Sequence, residues 1–89
     1  MEYKFVFDEA KSAANKVKHG IDFVEARAIW LDERPLQIAG RTGAEARFIV
    51  IGRIAGKHWS AVVTYRGDRV RIISVRRSRQ QEVEPHEGE

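Results

Sequence analysis

The sequence predicts an α+β domain in which an N-terminal strand and two helices pack on one face of an antiparallel sheet. Two observations point there. Residues 8–30 carry paired helix-start signals, and residues 46–77 alternate apolar and polar positions in three runs, ARFIVIGRI, KHWSAVVTYR and RVRIISVRR. The links between those runs, Ala55-Gly56 and Gly67-Asp68, have the length of tight hairpins. A length of 89 residues bounds the chain to one domain, assigned to residues 1–79, with an acidic tail over 80–89 that is either a short helix or disordered.

The elements follow in order. Residues 2–7, EYKFVF, read as a strand because aromatic and β-branched side chains dominate. Asp8 is an N-cap for a helix reaching about Lys18, and Gly20 is its stop. Ala10, Ala13, Ala14 and Val17 fall at helical spacing and form the expected buried stripe. Asp22 and Glu25 have capping-box spacing and open a second helix through Phe23, Ala26, Ile29 and Trp30, ending before Pro35. Leu36–Ala39 is a short strand and GRTGAE a glycine-containing turn.

With two-residue hairpin loops, residues 65, 63 and 61 face 70, 72 and 74, and residues 48 and 50 face 63 and 61. One sheet face then collects Phe48, Val50, Trp59, Ala61, Val63, Tyr65, Val70 and Ile72 and lies under the helices. The other face has Ile49, Val62 and Ile73 in a row. It is flanked by Arg47, Thr64 and Arg71 at one end and by Arg53, His58 and Arg77 at the other. The same register puts Arg76 on the helix-covered face with Tyr65.

Lysine and arginine total 16 against 13 acids, a net charge of +3, and the distribution matters more than the sum. Six arginines lie between Arg66 and Arg79 with Asp68 as the one acid, and the tail that follows carries Glu82, Glu84, Glu87 and Glu89. Arginine's fork grips phosphate oxygens in two places, which favours a phosphate ligand over mere solvation. An acidic protein partner, the chain's own tail and simple protection of a strand edge remain alternatives. On the first helix Lys11, Asn15 and Lys18 share a face, and His19 points about 170° from the Ala/Val stripe. His19 is therefore either a solvated helix end or a site residue.

The chain has no cysteine, so disulfides and thiol-rich zinc sites are excluded. His19, His58 and His86 are scattered without metal-ligand spacing, and no nucleotide-binding glycine loop or serine-nucleophile motif is present. No signal-peptide core and no apolar run near the ~20 residues that span a bilayer appears, so a cytoplasmic chain without membrane contact is expected. An enzyme made from this inventory needs chemistry without a cofactor. RNA cleavage fits, because the ribose 2′-OH supplies the nucleophile and arginines neutralise the phosphate.

The stretches FVFDEAKSAANKVKHGIDFVEA and VVTYRGDRVRIISVRRSRQQE resemble the BrnT family of ribonuclease toxins, the toxin halves of type II toxin–antitoxin pairs with a RelE-like fold. The likeness is most specific in D-x-x-K-x-x-x-N-x-x-K-H-G-I-x-F from Asp8 to Phe23 and R-x-x-x-x-R-I-I-S-x-R from Arg66 to Arg76. It implies catalytic roles for Lys18, His19, Arg66 and Arg76. Lys11, Arg47, Arg53, Arg71 and Arg77 are the expected RNA contacts. The resemblance further implies a metal-independent endoribonuclease that needs no cofactor and slows translation and growth. Its partner would be an antitoxin with a ribbon-helix-helix domain, through which operator DNA is reached. A homodimer stays open, and Glu82 is the candidate for a C-terminal acid. The competing reading is a non-catalytic nucleic-acid-binding or partner-docking module.

Overall fold

A computed structural model describes residues 4–40 and 46–87. The elements are β1 (Lys4–Val6), α1 (Glu9–His19), α2 (Phe23–Ala26), a 3-10 segment (Arg27–Leu31), β2 (Leu36–Ala39), β3 (Phe48–Ile54), β4 (Lys57–Arg66), β5 (Arg69–Arg77) and α3 (Gln80–Glu87). The strands form one sheet in the order β1-β5-β4-β3-β2. The α+β class holds, but β1 runs parallel to β5, so the sheet is mixed rather than antiparallel. The turn expected over 40–45 lies, apart from Gly40, outside the described residues.

The helix boundaries follow their signals. Asp8 accepts from the Lys11 N–H at 3.0 Å, and Gly20 closes α1 with φ +83°. The Asp22–Glu25 capping box forms reciprocally at 2.7 and 3.0 Å. The second helix differs from expectation, because α-geometry lasts only to Ala26 and tightens to 3-10 through Leu31. The packing face is retained, with Phe23, Ala26 and Ile29 fully buried.

The helix layer covers Val50, Ala61, Val63, Val70, Ile72 and Val75, with Phe48, Trp59 and Tyr65 partly buried at its margin. These are the residues that the register assigned to that face, with Val75 added. At Gly52 the Ile29 backbone approaches so closely that a Cβ would lie 2.7 Å from the Ile29 carbonyl oxygen. Only glycine lets the 3-10 segment sit down on β3 there.

Two expectations about faces are overturned. First, Ala10, Ala13, Ala14 and Val17 are exposed, Val17 by 89 %, while Ser12 and Asn15 are buried. The reason is unmet backbone demand. β1 pairs with β5 only as far as Arg71, leaving the outer edge of β5 without a strand beyond it. Asn15 fills that gap: its Nδ2 donates to the Val75 carbonyl at 2.9 Å and its Oδ1 accepts from the Val75 N–H at 3.2 Å. Nδ2 also donates to the Ile21 carbonyl at 2.8 Å, and Ser12 Oγ accepts from the Phe23 N–H. Polar residues therefore turn inward because buried peptide groups must be paired. His19, one turn after Asn15 on the same inward face, is half-buried.

Second, the β4–β5 register shifts at Val62/Val63. Tyr65 faces Val70 and Val63 faces Ile72 as expected, but Ala61 faces Val75 and Val62 faces Ser74, leaving Ile73 as the extra residue. Past the bulge the β5 side chains, Ser74 to Arg77, change face relative to expectation. Arg76 now pairs with Ser60 on the face away from α1 and α2, and Arg77 pairs with Trp59.

Candidate nucleic-acid interface

The sheet face away from α1 and α2 is the basic one. It carries the Arg53–His58 pair, the Thr64–Arg71 pair and the Arg66–Arg69 pair at the β4–β5 turn. Between them Ile49, Val62 and Ile73 form a half-buried apolar shelf. Arg47 is exposed just ahead of β3, and its carbonyl accepts from the Gly40 N–H at 2.8 Å. Arg66 and Arg76 sit on this same face but at opposite ends of the β4–β5 ladder. Arg66 lies six residues along β4 from Ser60, the partner of Arg76, so the two arginines leave the backbone about 20 Å apart.

α3 covers the Arg76 end. Glu82 is buried, with 6 % of its surface exposed, and its carboxylate collects four donors. Arg76 forks onto it with two contacts of 2.7 Å, Ser60 Oγ donates at 2.9 Å and the Arg79 N–H donates at 2.8 Å. The Arg76 hydrogen bonds hold the Glu82 carboxyl down at about 2, well below the usual carboxylate range, against the opposing effect of burial. Glu82 in turn raises Arg76. Ser60 and Ser78 hydroxyls meet at 2.7 Å beside this pair. Arg76 is thus a bidentate partner of the tail, and Glu82 is a buried acceptor rather than an exposed acid.

A second chain of polar groups fastens the other end of α3. Asp32 accepts from the Arg34 and Arg53 N–H groups at 2.8 and 2.7 Å. His86 Nε2 lies 3.2 Å from Asp32 Oδ2, an ion-pair separation without the aim of a hydrogen bond. His86 Nδ1 meets His58 Nε2 at 3.2 Å. Burial pushes Asp32 up, but the two backbone donors and His86 outweigh it, leaving the carboxyl below its ordinary value.

The remaining expected site residues lie on the helix side. Arg77 is exposed and its guanidinium sits 5.5 Å from the Trp59 ring centroid, a cation–π placement. Lys11 and Lys18 are exposed on α1, beside the half-buried His19. The four expected catalytic residues stand on different elements: Lys18 and His19 at the end of α1, which Asn15 ties to β5 at Val75, Arg76 in the α3 clamp next to that point, and Arg66 at the far end of the β4–β5 ladder. Among the described residues no group of three histidine or acidic side chains is arranged to hold a metal ion.

Residues 7–82 match the family described as the ribonuclease toxin BrnT of type II toxin–antitoxin systems. The chain belongs to the BrnT family. Membership brings ribonuclease activity in general and an antitoxin partner. No curated protein matches the sequence. No helix among the described residues is long and apolar enough to cross a membrane. For this BrnT chain, sequence reasoning missed the Asp32–His86–His58 chain and the inward Ser12–Asn15 face. One signal was available for Glu82: it stands at the third helical position after Arg79, where a glutamate reaches back to the cap N–H.

Proposed function

We propose that this chain is a cytoplasmic, metal-independent endoribonuclease toxin with a RelE-like fold, which inhibits translation and growth until its antitoxin binds. The basic sheet face carries this reading. It sets Arg66, Arg69, Arg71 and Arg53 along one surface beside an apolar shelf, the combination that tracks a phosphate backbone and stacks bases. In the proposed reaction the ribose 2′-OH attacks the adjacent phosphorus, the bond to the 5′-oxygen breaks, and a 2′,3′-cyclic phosphate and a free 5′-OH result. His19 or Lys18 transfers protons, and arginines neutralise the phosphate charge.

The spacing refines the assignment of phosphate contacts. Arg66 serves a phosphate at the hairpin end, Arg76 reaches a different phosphate of the strand only when its fork leaves Glu82, and Arg47, Arg53, Arg71, Arg77 and Lys11 are further RNA contacts. The antitoxin is proposed to carry a ribbon-helix-helix domain, so that the complex reaches operator DNA through it.

The purified chain incubated with RNA in EDTA is expected to give fragments ending in cyclic phosphate. His19→Ala is expected to lower cleavage by at least 100-fold with normal folding. The clamp on Arg76 favours a second reading, a binding module without chemistry. In that case RNA shifts in a gel but stays intact, and His19→Ala changes nothing.

A further inference from the structure

We propose that the outer surface of the α2/3-10 layer is the antitoxin's anchoring site and seats an amphipathic segment whose apolar side chains are flanked by basic ones. The inference rests on the family's two-component character and not on RNA cleavage. Val24, Ala28 and Leu31 recur at i, i+4 and i+7 and turn away from the core, whose side of the same segment is Phe23, Ala26 and Ile29. Leu31 is 84 % exposed and Val24 is 50 % exposed. They line a groove of about 450 Å³ together with Ala28, Phe5 and Trp30, and the two aromatic rings meet edge-on at 4.9 Å. A second groove of about 390 Å³ meets the first at Val24 and continues past Ala13 to Phe7. Val24 is a wall of both grooves, together termed the trough.

Charge selects the occupant. Glu9, Asp22 and Glu25 stand on the walls against Lys16 and Arg27, and Lys16 is already paired with Glu25 at 2.7 Å. A phosphate backbone meets a surplus of acid here, whereas the sheet's basic face lies on the opposite side of the core. A protein segment with apolar anchors and lysine or arginine beside Glu9 and Asp22 satisfies both the trough and its rim. Long residence of a neutralising partner also requires desolvated apolar anchors, since exposed charge pairs mainly raise the association rate. Val24 and Leu31 are not among the proposed RNA contacts or proton-transfer groups, so anchoring and catalysis are separable by mutation at these two positions.

The test is calorimetric titration of the full chain with its purified cognate antitoxin. Leu31→Asp and Val24→Asp are each expected to raise Kd at least tenfold, while RNA cleavage and the folded circular dichroism spectrum stay at the parent's level. Val17→Asp, on the outward face of α1 beyond the trough, is expected to leave Kd within twofold. Parent-like affinity in both trough variants overturns the site. An equal loss in Val17→Asp moves the interface to α1 and overturns it as well. A parent chain that is itself a dimer, made monomeric by Leu31→Asp, assigns the trough to a second copy instead. A parent that binds no antitoxin overturns the pairing together with the site, independently of any result with RNA.

Discussion

Glu82 shows how one side chain in the tail governs both stability and the reach of an arginine. Its carboxyl is held at about 2 in the folded chain, below the 4.5 of an unperturbed glutamate, chiefly by Arg76. A carboxyl whose pKa falls on folding stabilises the fold fully above its unfolded value and loses that contribution as pH drops toward the folded one. Stability is therefore expected to be flat near neutrality with respect to this group and to fall by about 3 kcal/mol between pH 4.5 and 2. Urea unfolding across that window should show a shallower fall in Glu82→Gln, and equal slopes in the two proteins would refute the assignment. The variant should also be less stable at pH 7, because Arg76 loses its partner in a half-buried site. The position of Glu82 was legible from the sequence as a tail acid near an arginine cluster. Its burial was not, because Ser60 lies 22 residues upstream and Arg76 joins it on one face only once β5 has bulged.

At the scale of elements, the hairpins were readable and the bulge was not. Two-residue links leave little freedom in register, and Phe48–Val63 and Tyr65–Val70 pair as spacing dictates. Nothing in IISV marks Ile73 as the extra residue, since all four side chains suit a strand. The face of α1 misled for a related reason: periodicity records which residues are apolar, whereas burial followed the peptide groups that Ser12 and Asn15 satisfy. The β3–β4 link is the weakest local fit. Ala55 has φ +52° and Gly56 φ +80°, so both central residues are left-handed as in a type I′ turn. Alanine is disfavoured there and asparagine is preferred at the first position. Ala55→Asn is expected to raise stability by about 0.5–1 kcal/mol, seen as a higher urea midpoint with unchanged slope. An unchanged midpoint would show that this turn stores no strain.

At the scale of the whole molecule, the sheet separates two surfaces of opposite character. One side presents arginines around an apolar shelf, and the other presents helices whose outer face is apolar with mixed charge. RNA held on the basic side should bind with strong salt dependence. Arg71 is exposed beside Thr64 at the uncovered end of that face. Arg71→Ala is expected to reduce the slope of log affinity against log salt by about 1, measured by fluorescence anisotropy with a short RNA. A slope identical to the parent's would remove Arg71 from the interface. The basic character of this region was visible in composition alone, because six arginines crowd residues 66–79. Its division between two faces required the bulge, which sends Arg76 under α3 and Arg77 over Trp59.

The amide of Asn15 has a consequence for the order in which the chain assembles. It closes onto Val75 across 60 residues of sequence, joining the first helix to the last strand. A chain emerging from its N-terminus makes α1 early, and the amide then waits for its strand until nearly all the rest has been synthesised. Until the two meet, the outer margin of β5 presents unpaired peptide groups on which another molecule's strand can grow. Docking of α1 is thus the step that ends this exposure. The Val75 amide hydrogen exchanges with solvent only when the helix lifts away, which makes it a built-in recorder of that event.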